Sequence, residues 1–233
     1  MTDGNEDAFA GLVERLVTRL GPVDVPAAAD NGIIHAAVLL LLRRTAAGSA
    51  AGGATGASAG AVADATGATW ARAGAAADAV GGAEVLFIKR SERRGDPWSG
   101  HVAFPGGRAE PSDASLTGVA VREAREEVGI DLERGGRILG SLPRVRPLSA
   151  RLPPIAVTPF VAIAPKGAAA RPDPSEVEDA FWMPLGALKN AGPLAVVRRE
   201  VEGEIREWPA YASPGGPIWG ITERILSGFL ALI

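Results

Sequence analysis

Gly106-Gly107-Arg108-Ala109-Glu110-Pro111-Ser112-Asp113, resumed as Arg122-Glu123-Ala124-Arg125-Glu126-Glu127-Val128-Gly129-Ile130, decides the fold. A glycine pair opens it, a short loop follows, and the far end has strong helical character. There Glu123, Glu126 and Glu127 stand at i, i+3 and i+4, which stacks three carboxylates on one helix face. Like charges at that spacing repel, so something cationic must offset them. Arg122 reaches Glu126 at i, i+4, but one guanidinium cannot neutralise three acids. The natural remaining partner is a hard divalent cation, which prefers oxygen ligands. Magnesium takes few protein carboxylates and completes its shell with waters and substrate phosphates, so the pattern points to phosphate chemistry. Gly106-Gly107 fits the same picture, because glycine lets backbone approach a ligand and a carbonyl there would be a further hard donor. Taken singly, an acidic helix face is usually a solvated one and a glycine pair a turn; their combination is more specific.

Around this stretch the chain is a protein of 233 residues, 47% hydrophobic and 22% charged, with a net charge of -3. The weak acidic balance argues against non-specific nucleic-acid binding. No cysteine is present, which excludes disulfides, thiolate nucleophiles and zinc-thiolate sites and suits a reducing cytoplasm. His35 and His101 are the only histidines, poor support for a multi-histidine metal site or a serine triad. Residues Met1 to Asp7 lack the basic start of a secretory signal. The apolar run Ile33 to Leu42 is far shorter than the roughly 20 residues that cross a bilayer. The reading is cytoplasmic, with no membrane and no nucleic acid.

Residues 1–32 are expected as an N-terminal helix and lead-in, with apolar positions at helical spacing from Asp7 to Leu20 and a stop at Gly21-Pro22. The main domain is expected over 33–233. Ile33 to Arg44 reads as a core strand and Glu84 to Lys89 as its hairpin partner. Between them, at about 45–82, lies a low-complexity Ala/Gly tract read as an insert of marginal order, with helical capacity over Val62 to Ala79. His101 to Phe104 is a short strand into the glycines. The acidic helix is expected to begin near Asp113 as N-cap, to bury Leu116, Val119, Ala120 and Ala124, and to end with Gly129 at C′. Further strands are expected at Arg137 to Leu142, Ile155 to Ala164, Phe181 to Leu185, Ala195 to Val201 and Glu204 to Trp208. Arg171 to Asp179 is a loop, Leu185 to Asn190 a short helix, and Ile218 to Ile233 a closing amphipathic helix. Strands and helices alternate without the regular repeat of a parallel sheet, so the fold class is α/β, a mixed sheet sandwiched by helices.

These residues resemble the Nudix box, G-x5-E-x7-R-E-U-x-E-E-x-G-U, where U is a bulky aliphatic. Arg122-Glu123, Glu126-Glu127 and Gly129-Ile130 match it. The interval from Gly107 to Arg122 is one residue longer, Asp113 stands at the first acid, and Ala124 replaces the aliphatic. The extra residue and the flanks Leu86-Phe87-Ile88-Lys89-Arg90-Ser91, Phe104-Pro105-Gly106-Gly107, Val157-Thr158-Pro159-Phe160-Val161 and Ile218-Trp219-Gly220-Ile221-Thr222 are similar to the coenzyme A pyrophosphatase branch. The resemblance implies an α/β/α sandwich and a hydrolase that splits the diphosphate of coenzyme A or an acyl derivative, using Mg²⁺ or Mn²⁺. It implies Glu123, Glu126, Glu127 and the Gly107 carbonyl as metal ligands, with Arg122 orienting the carboxylates. One acid of the cluster, or Glu176 or Glu178 from a distant loop, would be the general base. Arg90, Phe104, Gly106 and Gly107 would line the substrate site.

The alternatives are a broader nucleoside diphosphate hydrolase, for ADP-ribose or dinucleotides, and a non-catalytic binding module of the same fold. The partner would be a small nucleotide, with a homodimer left open. Arg93 and Arg94 read as a solubilising loop, His101 as a strand-edge residue bonded to backbone. Trp98 either stacks on an adenine or pins its loop, and Trp219 packs the last helix on the sheet.

Overall fold

The computed structural model describes residues 4–27, 32–45, 80, 82–149, 152–201 and 203–233. The insert's expected helix with Trp70, nearly all of the tract around it, and Glu202 of the last hairpin turn lie outside the described residues. Among the described residues no helix is long and apolar enough to cross a membrane.

The centre is β1 (Ile34–Arg44), which uses both of its edges. One edge runs parallel to β6 (Ile155–Ile163) from Ile34 to Leu42. The other is shared: Leu42 to Arg44 pair antiparallel with β2 (Ala83–Arg90), and Ala36 to Val38 pair antiparallel with β4 (Gly106–Arg108). On the outer edge of β2 lies β7 (Val177–Pro184), β3 (Val102–Ala103) pairs with Ile88-Lys89 on the edge that β2 shares with β1, and outside β6 lies β5 (Arg137–Ser141). The sheet is therefore mixed, as the irregular alternation of elements predicts. The hairpin from β1 to β2 also forms, and its stem is clamped by the cross-strand pair Arg43–Glu84 at 2.7 Å, with the Arg43 guanidinium 4.1 Å over Trp182.

Side chains of β1 alternate between two cores, as period-two geometry requires. Ala36, Leu40 and Leu42 face one; Ala37, Leu39 and Leu41 face the other. The first core is closed by α1 (Gly4–Arg19) through Leu12 and Leu16, by α3 (Leu185–Ala191) and by α4 (Gly220–Leu230) through Ile225, Leu226 and Phe229. The N-terminal helix and the remainder thus share one core. The second core is closed by α2 (Leu116–Val128) through Leu116, Val119, Ala120, Ala124 and Val128. Helices on both faces of a mixed sheet make an α/β/α sandwich.

Several boundaries differ from expectation. The glycine pair lies in β4 rather than in a turn, because its backbone continues the ladder on β1. Ser115, not Asp113, caps α2: its hydroxyl accepts from the Gly118 N–H at 3.1 Å, while both Asp113 oxygens are already taken by Arg122. Gly129 does close the helix, in the left-handed region with φ 65°, where its N–H and that of Ile130 satisfy the Arg125 and Ala124 carbonyls. β7 starts at Val177, four residues before the expected strand, because it pairs along the length of β2. The last helix starts at Gly220; Ile218–Trp219 is instead β10, the edge of a separate antiparallel sheet with β9 (Glu204–Tyr211) and β8 (Ala195–Val201).

Candidate active site

Packing brings α2 against β4, and the two glycines explain how closely. A β-carbon on Gly106, whose φ is 153°, would meet the Ala37 carbonyl oxygen at 2.3 Å. One on Gly107 would meet Oε1 of Glu123 at 2.2 Å. Only glycine lets the helix carboxylates lie on this backbone. The Gly106 N–H donates to Oε2 of Glu127 at 2.8 Å.

Glu127 continues the apolar stripe Leu116, Ala120 and Ala124 on the buried side of α2, so its side chain is buried with it, 2% exposed. Glu123 lies one turn earlier at the stripe's margin. Glu126 does not join them. Its side chain is half exposed and takes an ion pair from Arg122 at 2.9 Å. The third acid of the cluster is Glu176, in the turn before β7. One carboxylate oxygen each of Glu123, Glu127 and Glu176 lies within 4.8 Å of the others. Glu178, the other loop candidate, is in β7 and pairs with Lys89 at 2.7 Å.

Arg122 is the hub behind the cluster. It holds Asp113 in a two-pronged bond at 3.2 and 3.0 Å, reaches Glu123 and Glu126 at 2.9 Å each, and donates to the Arg108 carbonyl at 3.2 Å. The guanidinium therefore ties the loop after β4 to the helix, and its hydrogen bonds hold the Asp113 carboxyl below the ordinary range. On the opposite side Arg90 pairs with Asp96 at 2.9 Å and approaches Glu127 at 3.8 Å. Arg93 bonds the Ser175 carbonyl at 2.7 Å and Glu176 at 3.1 Å. Arg93, read in the sequence as part of a solubilising loop, instead bonds the cluster's loop, and Asp96 went unread, because loop spacing carries no periodic signal. Glu127's burial was readable from the stripe it continues.

Electrostatically the cluster is under-compensated. Burial pushes the Glu127 carboxyl up to about 8, with the charges of Glu123 and Glu176 adding to it against the Gly106 N–H and Arg90. Burial also pushes Glu123 up, against the pull of Arg122. Carboxylate oxygens this close, crowded and short of positive charge fit a hard cation: oxygen–ion distances of about 2.0–2.6 Å span opposite ligands separated by roughly 4–5 Å.

Two sequence-derived assignments are corrected. Phe104 is 2% exposed in the first core, stacked on Phe87 at 4.8 Å between centroids, and so is closed off from any substrate. Trp219 does not pin α4 to the sheet; its ring lies 4.8 Å from His101 and 5.9 Å from Trp208. Of the two readings of Trp98, the structure favours the pin: the ring packs on the first core.

The NUDIX domain matches residues 70–203, more than half of the chain. A protein of Salmonella newport named as an uncharacterized Nudix hydrolase, NudL, is 37% identical over 131 residues, which cover 55% of this chain and 64% of that protein. Relatives in Salmonella dublin and Salmonella agona match to the same degree; the chain thus spans just under two thirds of the length of these relatives. Among solved structures, an Ap4A hydrolase complex of C. elegans is 19% identical with a TM-score of 0.42, covering 67% of this chain and 85% of that one. A MutT/nudix family protein from Enterococcus faecalis is 14% identical with a TM-score of 0.43, covering 88% of this chain and 64% of that one. On the domain match, the chain belongs to the Nudix family.

Proposed function

We propose that the chain hydrolyses the diphosphate bond of a nucleoside diphosphate derivative, with coenzyme A or an acyl derivative as the substrate. The carrying observation is the three-carboxylate cluster of Glu123, Glu127 and Glu176, seated on Gly106-Gly107 within a Nudix domain. Glu123 and Glu127, with Glu176 and the Gly107 carbonyl, would hold Mg²⁺ or Mn²⁺. Such an ion neutralises phosphate charge and lowers the pKa of a water at the site. The chain's own residues do the rest. Arg122 fixes Glu123 and Glu126 against β4. Arg90 at the end of β2 and Arg93 in the loop after it, which reach Glu127 and Glu176, offer planar donors for phosphate oxygens. Water adds to one phosphorus, the bridging oxygen leaves with the other phosphate, and the water's proton passes to a carboxylate. Glu176, partly exposed, would take it on the carboxylate oxygen it does not give to the cation.

Coenzyme A rests on the flanking motifs, Leu86 to Ser91 and Phe104 to Gly107 above all, and on the extra residue before Arg122. The products would be 3′,5′-ADP and phosphopantetheine. A cysteine-free chain fits a cytoplasmic setting. Incubation with coenzyme A, ADP-ribose and a dinucleoside polyphosphate, each with Mg²⁺ or Mn²⁺ and resolved by chromatography, tests the reading. Cleavage of the other two with coenzyme A untouched removes the substrate; no cleavage of any removes the activity.

A further inference from the structure

The chain carries an aromatic surface outside its cores. Trp98 and Trp182 pack against one core or the other; among the described residues, Trp208 and Trp219 pack against neither. Trp208 in β9 and Trp219 in β10 lie on one face of the three-stranded sheet, since Trp219 pairs with Ala210, two residues on from Trp208. Both are half-buried, and their rings meet at 5.9 Å and 58°. Arg199, exposed on the neighbouring strand, holds its guanidinium 5.6 Å over the Trp219 ring, and it has no ion pair among the described residues.

A chain of contacts links this surface to the acidic cluster. The Trp219 ring lies 4.8 Å from the His101 imidazole. The His101 carbonyl accepts from the Arg90 N–H at 3.0 Å, and the Arg90 guanidinium reaches Glu127 at 3.8 Å. Burial and the nearby Arg199 lower the His101 pKa, which favours a neutral ring between two guanidiniums. In order along these contacts stand acids for a cation, then arginines for phosphate, then flat electron-rich rings with one further arginine.

We propose that Trp208 and Trp219, with Arg199 beside them, seat the aromatic base of the nucleotide whose diphosphate lies at Glu123, Glu127 and Glu176. The inference rests on the hydrolase reading above and adds to it where the base goes. Two half-buried indoles left out of both cores still present part of their rings to water, and a base stacked on that part covers it and gains the ring–ring attraction. Arg199 adds cation–π character and a charge complementary to a nucleotide phosphate.

Saturation-transfer NMR and calorimetry with AMP and with ribose 5-phosphate, on metal-free protein, test this without turnover. AMP is expected to bind with its strongest saturation on the adenine protons, and ribose 5-phosphate at least 10-fold more weakly. Trp208→Leu and Arg199→Ala should each weaken AMP on the order of 10-fold, and Trp208→Phe should restore it to within about 3-fold. Equal binding of the two ligands, or AMP affinity unchanged in Arg199→Ala and Trp208→Leu, overturns the proposal. Arg199 is exposed, so that variant decides even where Trp208→Leu does not fold. Base-directed AMP binding without diphosphate hydrolysis would sink the hydrolase reading alone; hydrolysis without base-directed binding would sink this site alone.

Discussion

Gly107 and Glu123 are in contact so close that a single methyl group on the glycine would stand 2.2 Å from the carboxylate oxygen. The obstacle is the far end of a side chain, not backbone, so Glu123 can swing away. Gly107→Ala is therefore expected to fold with little loss of stability and to lose at least 10-fold in metal affinity, read by calorimetry. Gly106→Ala contrasts with it. Its methyl would overlap the Ala37 carbonyl at 2.3 Å from a φ of 153°. It should cost about 1–3 kcal/mol in chemical denaturation. Equal behaviour of the two variants would contradict the packing described.

The three helix glutamates should not be equivalent. Glu123→Gln and Glu127→Gln remove cluster oxygens and are expected to reduce kcat by roughly 10²–10⁴-fold, the scale of a lost charge-stabilising group. Glu126→Gln loses only an exposed partner of Arg122 and should cost less. In EDTA, stability moves opposite to activity for Glu127→Gln. Glu127 is buried among like charges, so Glu127→Gln should stabilise the metal-free protein by about 1 kcal/mol, or roughly 2–4 °C in Tm, and should abolish stabilisation by added cation. An unchanged or lower Tm in EDTA would show the cluster to be already compensated.

Asp113 and Arg122 give a pH signature. The Asp113 pKa is depressed below 3.8, chiefly by the Arg122 hydrogen bonds. In the folded state the carboxylate then binds its proton less readily than in the unfolded chain. Its stabilisation is full above the ordinary value and is lost as pH falls through the folded one. Asp113→Asn is expected to cost about 1–2 kcal/mol at pH 7, with the gap to wild type closing below pH 3.8 in urea titrations run from pH 7 downward. A gap constant over that range would remove the pair from the stability of the loop.

What was legible in the sequence was what repeats. The helix showed itself through its carboxylates, its apolar stripe and Gly129; the hairpin through two apolar runs; the mixed sheet through irregular alternation. What escaped was what only tertiary packing decides. The spacing of Glu123, Glu126 and Glu127 cannot say which two turn towards β4, since that depends on how the stripe from Leu116 to Val128 docks. Glu176 was named as one loop acid of two, and only the pairing of β7 along β2 carries it to the cluster and sends Glu178 to Lys89. Phe104 sits beside the glycines in the chain, but in the link between β3 and β4 its ring packs on Phe87 inside the core. Trp219 seemed part of a helix because β10 is two residues long, too short for a periodic signal.

The clamp between Arg43 and Glu84 has one further consequence. Arg44 and Ala83 are direct partners across the ladder, so the chain comes back within about one strand spacing, 4.7–4.9 Å, of where it left. Nearer the other end of β1, Val38 meets Gly106, whose N–H holds Glu127 of the acidic cluster. The hairpin stem is thus a port at the end of β1 away from the acidic cluster. Anything spliced between Arg44 and Ala83, a tight turn or an entire foreign domain, leaves the register of the catalytic strands to the clamp, so length there can drift over evolution, or be chosen by an engineer, without touching turnover.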